Sequence, residues 1–499
     1  MDTFFHSTRS TNGHLTGKQA IRQGLADDGG LFVTDALGKD KLSLDGLADM
    51  SYQEMALQVL GILLPDYSQS EVRDCIAQAY GEQWSDPLIT PLRPLGDDYL
   101  LELFQGPTCA FKDVALQMLP RLMARTLPTG QEAQDDQKIM IVTATSGDTG
   151  KAALAGFADV PGTGITVFYP SGKVSQVQEL QMTTQTGSNV SVCAVDGNFD
   201  DAQSAVKAIF ADRELARDLD QGNRVMLSSA NSINVGRLVP QVVYYFSAYA
   251  QLLRLGRISL GQEVEFVVPT GNFGDILAGY YAKRIGLPVK HLVVASDRNN
   301  VLFDFLTSGT YNRQRPFYQT SSPSMDILVS SNLERMLYYM SGGDAPLIQM
   351  LMNDLQGWGS FEVPESLLAK VRELFGCGWA DESQVSQSIS QCWKRSGYLI
   401  DPHTACGYYV MDQMPRDTQT PRVLLSTASP YKFPRVVGQA LGLDLDGADD
   451  FECMDLLAKT TGTTVPQALR RLADSPVLFS DSISTGQMRD YVSRAAQRL

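Results

Sequence analysis

Lys112 stands in the run LELFQGPTCAFKDVALQML, between a turn at Gly106 and Pro107 and the helically spaced apolar residues Val114, Leu116, Met118 and Leu119. That places it near a helix start, where the dipole disfavours a cation and lowers the pKa of an amine. A lysine that must be neutral to attack a carbonyl benefits from such a position. The alternative is a solvated lysine paired with Asp113, the usual fate of a Lys-Asp dipeptide.

Four other clusters of small polar residues each follow an apolar run. In TATSGDTG, Thr145, Ser146, Gly147, Asp148 and Thr149 precede the helix-like KAALAGFA. Hydroxyls and glycines in such a turn offer donors to a carboxylate or phosphate, unless Ser146 and Asp148 merely cap the helix. In SSANSINVGR, Asn231, Ser232 and Asn234 surround a turn and Arg237 supplies a positive charge. A guanidinium there can fork onto a phosphate, or it can be an ordinary surface arginine. In PTGNFGDILAG, Gly271, Asn272, Phe273, Gly274 and Asp275 separate VEFVV from a helix, and two glycines let successive N–H groups form an anion nest. In LLSTASPYKFP, Ser426 and Thr427 end a buried-looking strand, where a hydroxyl can reach a ring nitrogen or make a structural hydrogen bond. None of these strings is G-x-G-x-x-G or G-x-x-x-x-G-K-[ST], so the dinucleotide and P-loop readings lose their specific support.

Positioning these clusters requires a parallel sheet. KIMIVTA, GITVFYP, VSVCAV, RVMLSSA, VEFVVPT, HLVVAS and RVLLSTA are the expected strands, alternating with helical patterns as in βαβ units. One such pattern, Ala202, Ala205, Val206, Ile209 and Phe210, follows Asp200 or Asp201 as its expected N-cap. The first 90 or so residues are expected to be mainly helical, with the apolar run Met55 to Leu63 ending at Pro65. The stretch from Tyr311 to Tyr398 lacks clear strands and holds helix-like pieces, DILVSSNLERMLYYM and ESLLAKVRELFGCG, which predicts a helical insertion.

The chain has 499 residues, enough for about two or three domains. Its Lys+Arg 41 against Asp+Glu 56 gives a net charge of −15, a field that repels nucleic acid and anionic membrane, so an anionic substrate must be caught by local donors. The 7 cysteines are scattered without a C-x-x-C pair and the 4 histidines show no paired spacing, so no metal site is expected and the thiols read as reduced. The first residues show no export signal and no 18-residue apolar run occurs, so a cytoplasmic protein is expected. By themselves the residues support an α/β enzyme with an oxyanion-rich pocket.

In combination they do more. FFHSTR, GLADDGGLF, LELFQGPTCAFKD, TATSGDTGKAA, YPSGKVSQVQELQM, SSANSINVGRLVPQ, PTGNFGDILAG, DPHTACGYYV and STASPYKFP form an ordered series running to about Pro434. The series resembles the threonine synthase family, in its longer class with an extra N-terminal region. The resemblance implies a pyridoxal 5′-phosphate enzyme of fold type II, shared with the tryptophan synthase β subunit, with two open parallel-sheet α/β domains. It would be organised as a mainly helical N-terminal domain at 1–94, a large cofactor-binding domain at 95–138 and 251–445 with the insertion at about 311–400, a small α/β domain at 139–250, and a helical tail at 446–499. The implied reaction is the conversion of O-phospho-L-homoserine and water into L-threonine and phosphate, the last step of threonine biosynthesis.

By the same resemblance Lys112 would form the internal Schiff base and shuttle protons, Gly271 to Asp275 would hold the cofactor phosphate, and Thr427 would hydrogen-bond the pyridine nitrogen. Thr145, Ser146, Gly147, Asp148 and Thr149 would form the loop over the substrate carboxylate and the cofactor's phenolic oxygen. Asn231, Ser232, Asn234 and Arg237 would bind the substrate phosphate. The long class is compatible with a monomer. Gln105 stands where many relatives have His before G-P-T, and Ser429 and Tyr431 stand where His and Ala are frequent. Two other readings stay beside this one: a phospholyase that releases 2-oxobutyrate and ammonia, and a ligand-binding protein of the same fold, against which the retained Lys112 argues.

Overall fold

The seven Val- and Ile-rich runs form strands of two separate sheets, as expected. The computed structural model describes residues 4–11, 13–128, 137–145 and 147–499. The smaller sheet has five strands in the order Ser482–Ser484, Val190–Asp196, Thr163–Pro170, Lys138–Ala144 and Val225–Ser228, all parallel. The larger has six in the order Phe375–Trp379, Val289–Ser296, Val264–Pro269, Arg422–Ser426, Asp98–Glu102 and Leu92–Leu95, parallel except for the last pair. Thr163–Pro170 and Val264–Pro269 are buried along their whole length, which is why they read as continuous apolar runs rather than alternating ones.

Four strands of these two sheets were not expected, and each hides for a physical reason. Asp98–Glu102 (DYLLE) has charged ends, of which Asp98 is buried in an ion pair with Arg422 at 2.7 Å. Leu92–Leu95 contains Pro94, tolerated because the strand is an edge. Phe375–Trp379 (FGCGW) has two glycines and follows the helix Glu365–Leu374 without a turn, so ESLLAKVRELFGCG is part helix and part strand. The segment 311–400 is therefore not wholly helical, and it returns an edge strand to the large sheet. Likewise Ser482–Ser484 pairs with Val190–Asp196, so the tail is more than helical.

Other boundaries also shift. The expected division at 250/251 falls inside the helix Val242–Arg254, whose residues from Val242 to Leu252 are all buried. The division at 94/95 falls inside the strand Leu92–Leu95. In DILVSSNLERMLYYM only Leu333–Met340 is helical. The helix Phe199–Ala211 is capped by Asn198, with Asp201 closing the capping box, rather than by Asp200 or Asp201. N-terminal helices at Gly17–Gln23, Tyr52–Leu63 and Gln69–Ala79 share one core with the sheets, in which Ile21, Leu60, Ile141, Tyr245 and Phe266 all take part.

Candidate active site

All four polar clusters, and the loop that carries Lys112, lie just beyond the carboxyl ends of strands, where open parallel sheets present ligand sites. Lys112 opens the helix Lys112–Leu116 and is 7% exposed. Its loop is tied to the Thr427 cluster, because Phe111 N–H donates to Thr427 O at 2.8 Å and Ala110 bridges Ala428. Asp113 does not pair with Lys112. Instead it staples the turn, accepting Thr108 N–H at 2.8 Å and the Thr108 hydroxyl at 2.6 Å, and burial pushes its carboxyl up to about 6.

Lys112 Nζ donates to Ser324 Oγ at 2.7 Å and lies 3.7 Å from Asp148 Oδ2. Burial lowers its pKa to about 8 against the attraction of Asp148, with Arg237 and Lys432 adding to the lowering. Burial, rather than a helix dipole, is thus the principal cause. Asp148 opens the helix Asp148–Phe157, but the cap position is Gly147 and no side chain caps it. The Asp148 carboxylate faces Lys432 at 2.7 Å, Gln178 Nε2 at 3.2 Å and the Ser324 hydroxyl at 3.2 Å. Burial alone would raise its pKa; Lys432 and Lys112 outweigh this and hold it well below the usual carboxylate range.

The turn before that helix is set by Thr145, whose hydroxyl accepts the N–H groups of Gly147 at 3.0 Å and Gly150 at 2.9 Å. Gly147 has φ 137°, and a Cβ there would lie 2.5 Å from the Gln178 side chain, so glycine is required. Thr149 is half-buried in the first turn, and Ser146 lies outside the described residues.

Across the site, Gly271, Asn272 and Phe273 lead into the helix Gly274–Arg284. Among the described residues, none of the backbone N–H groups from Gly271 to Gly274 has an acceptor, whereas the N–H groups of Asp275 and Ile276 turn to the Asp275 carboxyl. Four such groups at the start of an eleven-residue helix can hold a phosphate. The loop is fixed from behind by Ser330 Oγ donating to Gly271 O at 2.7 Å and Asn332 N–H donating to Asn272 O at 3.0 Å. Asp275 is buried, which pushes its carboxyl up to about 7.

Arg237 is 6% exposed, not a surface residue, and its guanidinium donates to Ala230 O at 3.1 Å. Among the described residues it makes no ion pair, and burial lowers its pKa to about 10. A buried guanidinium without a carboxylate is a candidate anion site. Asn231 accepts the Thr143 hydroxyl at 3.0 Å, and Ser232 Oγ meets Ser331 Oγ at 3.2 Å. Asn234 differs from its neighbours: its amide donates to Ile21 O and Ser229 O and its oxygen caps Gly236 N–H, so it knits the N-terminal helix to this turn instead of facing a ligand.

Lys432, Ser324, Gln178 and His403 were not singled out from the sequence. Lys432, Gln178 and His403 sit inside quoted motifs, whereas Ser324 lies in an irregular segment with no periodic signal. Gln105, Ser429 and Tyr431 line a separate cavity of 960 Å³ whose walls do not include Lys112 or Asp148. Among the described residues no cluster is arranged to hold a metal ion, and no helix is long and apolar enough to cross a membrane.

The site geometry matches the outcome of comparison with known proteins. Residues 4–80 match the model for the threonine synthase N terminus, 90–347 that for pyridoxal-phosphate dependent enzymes, and 404–482 that for the threonine synthase C-terminal region. The chain is 38% identical to threonine synthase of Pseudomonas aeruginosa over 456 residues, 89% of this chain and 93% of that one. The chain belongs to the threonine synthase family. Within that family, the crystal structure of pyridoxal-phosphate-bound threonine synthase from Brucella melitensis superposes with a TM-score of 0.87 at 36% identity, covering 99% of this chain and 100% of that one. The human threonine synthase-like 1 protein is 40% identical over 435 residues, 85% of this chain, and the match spans 58% of that longer relative. The cofactor of the family fits the residues present: a buried amine whose pKa is lowered lies in one site with four backbone N–H groups that have no acceptor among the described residues.

Proposed function

We propose that this member of the threonine synthase family converts O-phospho-L-homoserine and water into L-threonine and phosphate, with pyridoxal 5′-phosphate as its cofactor. The observation that carries this reading is the joining of one buried lysine amine to two distinct anion sites, the N–H groups of Gly271 to Gly274 and the Arg237 guanidinium, which has no carboxylate partner among the described residues. When bound, the cofactor supplies an aldehyde for the amine and a ring that draws electron density from the adjoining carbon.

The rest is done by the chain. Lys112 Nζ would hold the cofactor and move protons between substrate carbons, which requires the amine to be neutral near working pH. Gly271, Asn272, Phe273, Gly274 and Asp275 would hold the cofactor phosphate, and Thr427, buried at a strand end, would meet the ring nitrogen. Asp148, kept ionised by Lys432, would face the phenolic oxygen. Thr145, Ser146, Gly147 and Thr149 would enclose the substrate carboxylate, and Asn231, Ser232 and Arg237 its phosphate. Three anionic groups in a chain of net charge −15 need such local donors.

The seven free cysteines are in keeping with a cytoplasmic enzyme, and that compartment and a monomeric state are part of the proposal. Product analysis tests the reaction: 2-oxobutyrate and ammonia in place of threonine would make the protein a phospholyase.

A further inference from the structure

Ser324 occupies the gap between the Lys112 amine and the Asp148 carboxylate. Its Oγ is 2.7 Å from Lys112 Nζ and 3.2 Å from Asp148 Oδ2, while the two charged groups stand 3.7 Å apart. A hydroxyl has one proton to give. Since Asp148 is acceptor-only, the Ser324 proton goes to the carboxylate and only its lone pairs face Lys112. The other carboxylate oxygen is taken by Lys432 at 2.7 Å, so the carboxylate cannot turn away.

The serine is itself held. Residues Pro323–Met325 form a short 3₁₀ turn, and Ser324 N–H donates to His403 Nε2 at 3.1 Å. With that nitrogen accepting, the neutral imidazole carries its proton on Nδ1, which donates to Asp401 Oδ1 at 2.8 Å. On the opposite side Ser324 O lies so near Gly271 that a Cβ there would be 2.8 Å away. The same turn therefore braces the phosphate loop and the lysine.

We propose that Ser324 is a spacer: its hydroxyl accepts from Lys112, donates to Asp148, and prevents the amine from closing onto the carboxylate as a direct ion pair. The inference rests on reading Lys112 as the amine that carries the cofactor. The charged groups facing Lys112 are Asp148, Lys432, Arg237 and Asp275, with His403 behind Ser324 and Asp113 turned to Thr108. Asp148 and Asp275 favour the ammonium, whereas Lys432 and Arg237 oppose it. Removing the hydroxyl takes away its hydrogen bond to the amine and lets the amine and Asp148 close on each other. Shortening that separation from 3.7 Å to hydrogen-bond distance strengthens the attraction enough to move the titration of the amine up by about one pH unit at an effective dielectric of about 20.

The test uses apoprotein, pyridoxal 5′-phosphate as the probe, and borohydride to fix what has reacted, with peptide mass spectrometry locating the modified lysine. Initial rates are taken across a pH series for the native chain, Ser324→Ala and Ser324→Thr. The expected result is modification at Lys112 with a half-maximal rate near pH 8 in the native chain. In Ser324→Ala the midpoint rises by about one unit, roughly a fivefold slower reaction at pH 8, and Ser324→Thr restores it. An unchanged midpoint in Ser324→Ala with the label still on Lys112 overturns the spacer, as does a loss of stability without a shift. A label on a different lysine instead overturns the reading of Lys112 beneath it.

Discussion

Lys432 Nζ lies 2.7 Å from Asp148 Oδ1, with side-chain exposures of 0% and 3%. The pair explains why an aspartate at the first position of a helix does not serve as its cap: the carboxylate is turned to a buried ammonium that also donates to Thr108 O at 3.1 Å. Asp148 is thereby kept charged and aimed at Ser324 and Lys112.

Lys432→Met leaves that carboxylate without its nearest buried partner, and such truncations cost about 3–5 kcal/mol. Denaturant unfolding at pH 7 should show a loss of that order. The sign with pH follows from Asp148 being held below the ordinary carboxylate value of 3.8: in the native chain this stabilisation is present above that value and is lost as pH falls below it. The variant should show a shallower loss on the acid side, and an acid limb identical to that of the native chain would contradict the pairing.

Lys112 titrates with the opposite consequence. Its folded value of about 8 lies below the ordinary lysine value of 10.5, so the native state binds the proton less well and is penalised at neutral pH. Apoprotein should gain stability as pH rises from 8 to 10.5, whereas Lys112→Met should be more stable at pH 7 by about 3 kcal/mol and lack this share of the gain. Paired thermal scans of the two apoproteins across that window measure it.

Arg237 and Asn234 were read from one motif as equal partners on a phosphate, and the structure separates them. Arg237→Gln should raise KM for a phosphorylated substrate about 10- to 100-fold with a smaller change in kcat, the worth of a charged hydrogen bond. Asn234→Ala should leave KM nearly unchanged and instead cost about 1–3 kcal/mol of stability, because the carbonyls of Ile21 and Ser229 lose a buried donor. Steady-state kinetics and denaturation on the same two variants separate the roles.

Gly271→Ala drives a methyl to 2.8 Å from the Ser324 carbonyl, a backbone atom with no freedom to yield. Cofactor affinity should fall about 10- to 100-fold. Equilibrium titration of apoprotein with pyridoxal 5′-phosphate, followed by absorption, reads it directly.

Where the chain repeats a local signal, sequence and structure agree. The buried strands Thr163–Pro170 and Val264–Pro269 have the unbroken apolar character that parallel sheets demand, and the polar cluster from Gly271 announces the end of the second. What stayed hidden depends on distant partners. DYLLE becomes a strand because Arg422 neutralises Asp98, and FGCGW because an edge awaits it beside Val289–Ser296. Within the site, Lys112 and Arg237 had the residue type their chemistry needs, but that Arg237 is buried without a carboxylate was not readable. Ser324 was beyond reach: a serine in an irregular stretch acquires meaning only when the chain folds 212 positions back onto Lys112.

Under the proposed function Lys112, between the two anion sites, is the amine through which the protein makes threonine. Cofactor-loaded protein is supplied with O-phospho-L-homoserine while phosphate and threonine are measured together, with Lys112→Ala as control. Equal amounts of the two products, both abolished in the variant, are the predicted result. Phosphate without threonine, or undiminished turnover by Lys112→Ala, would contradict it.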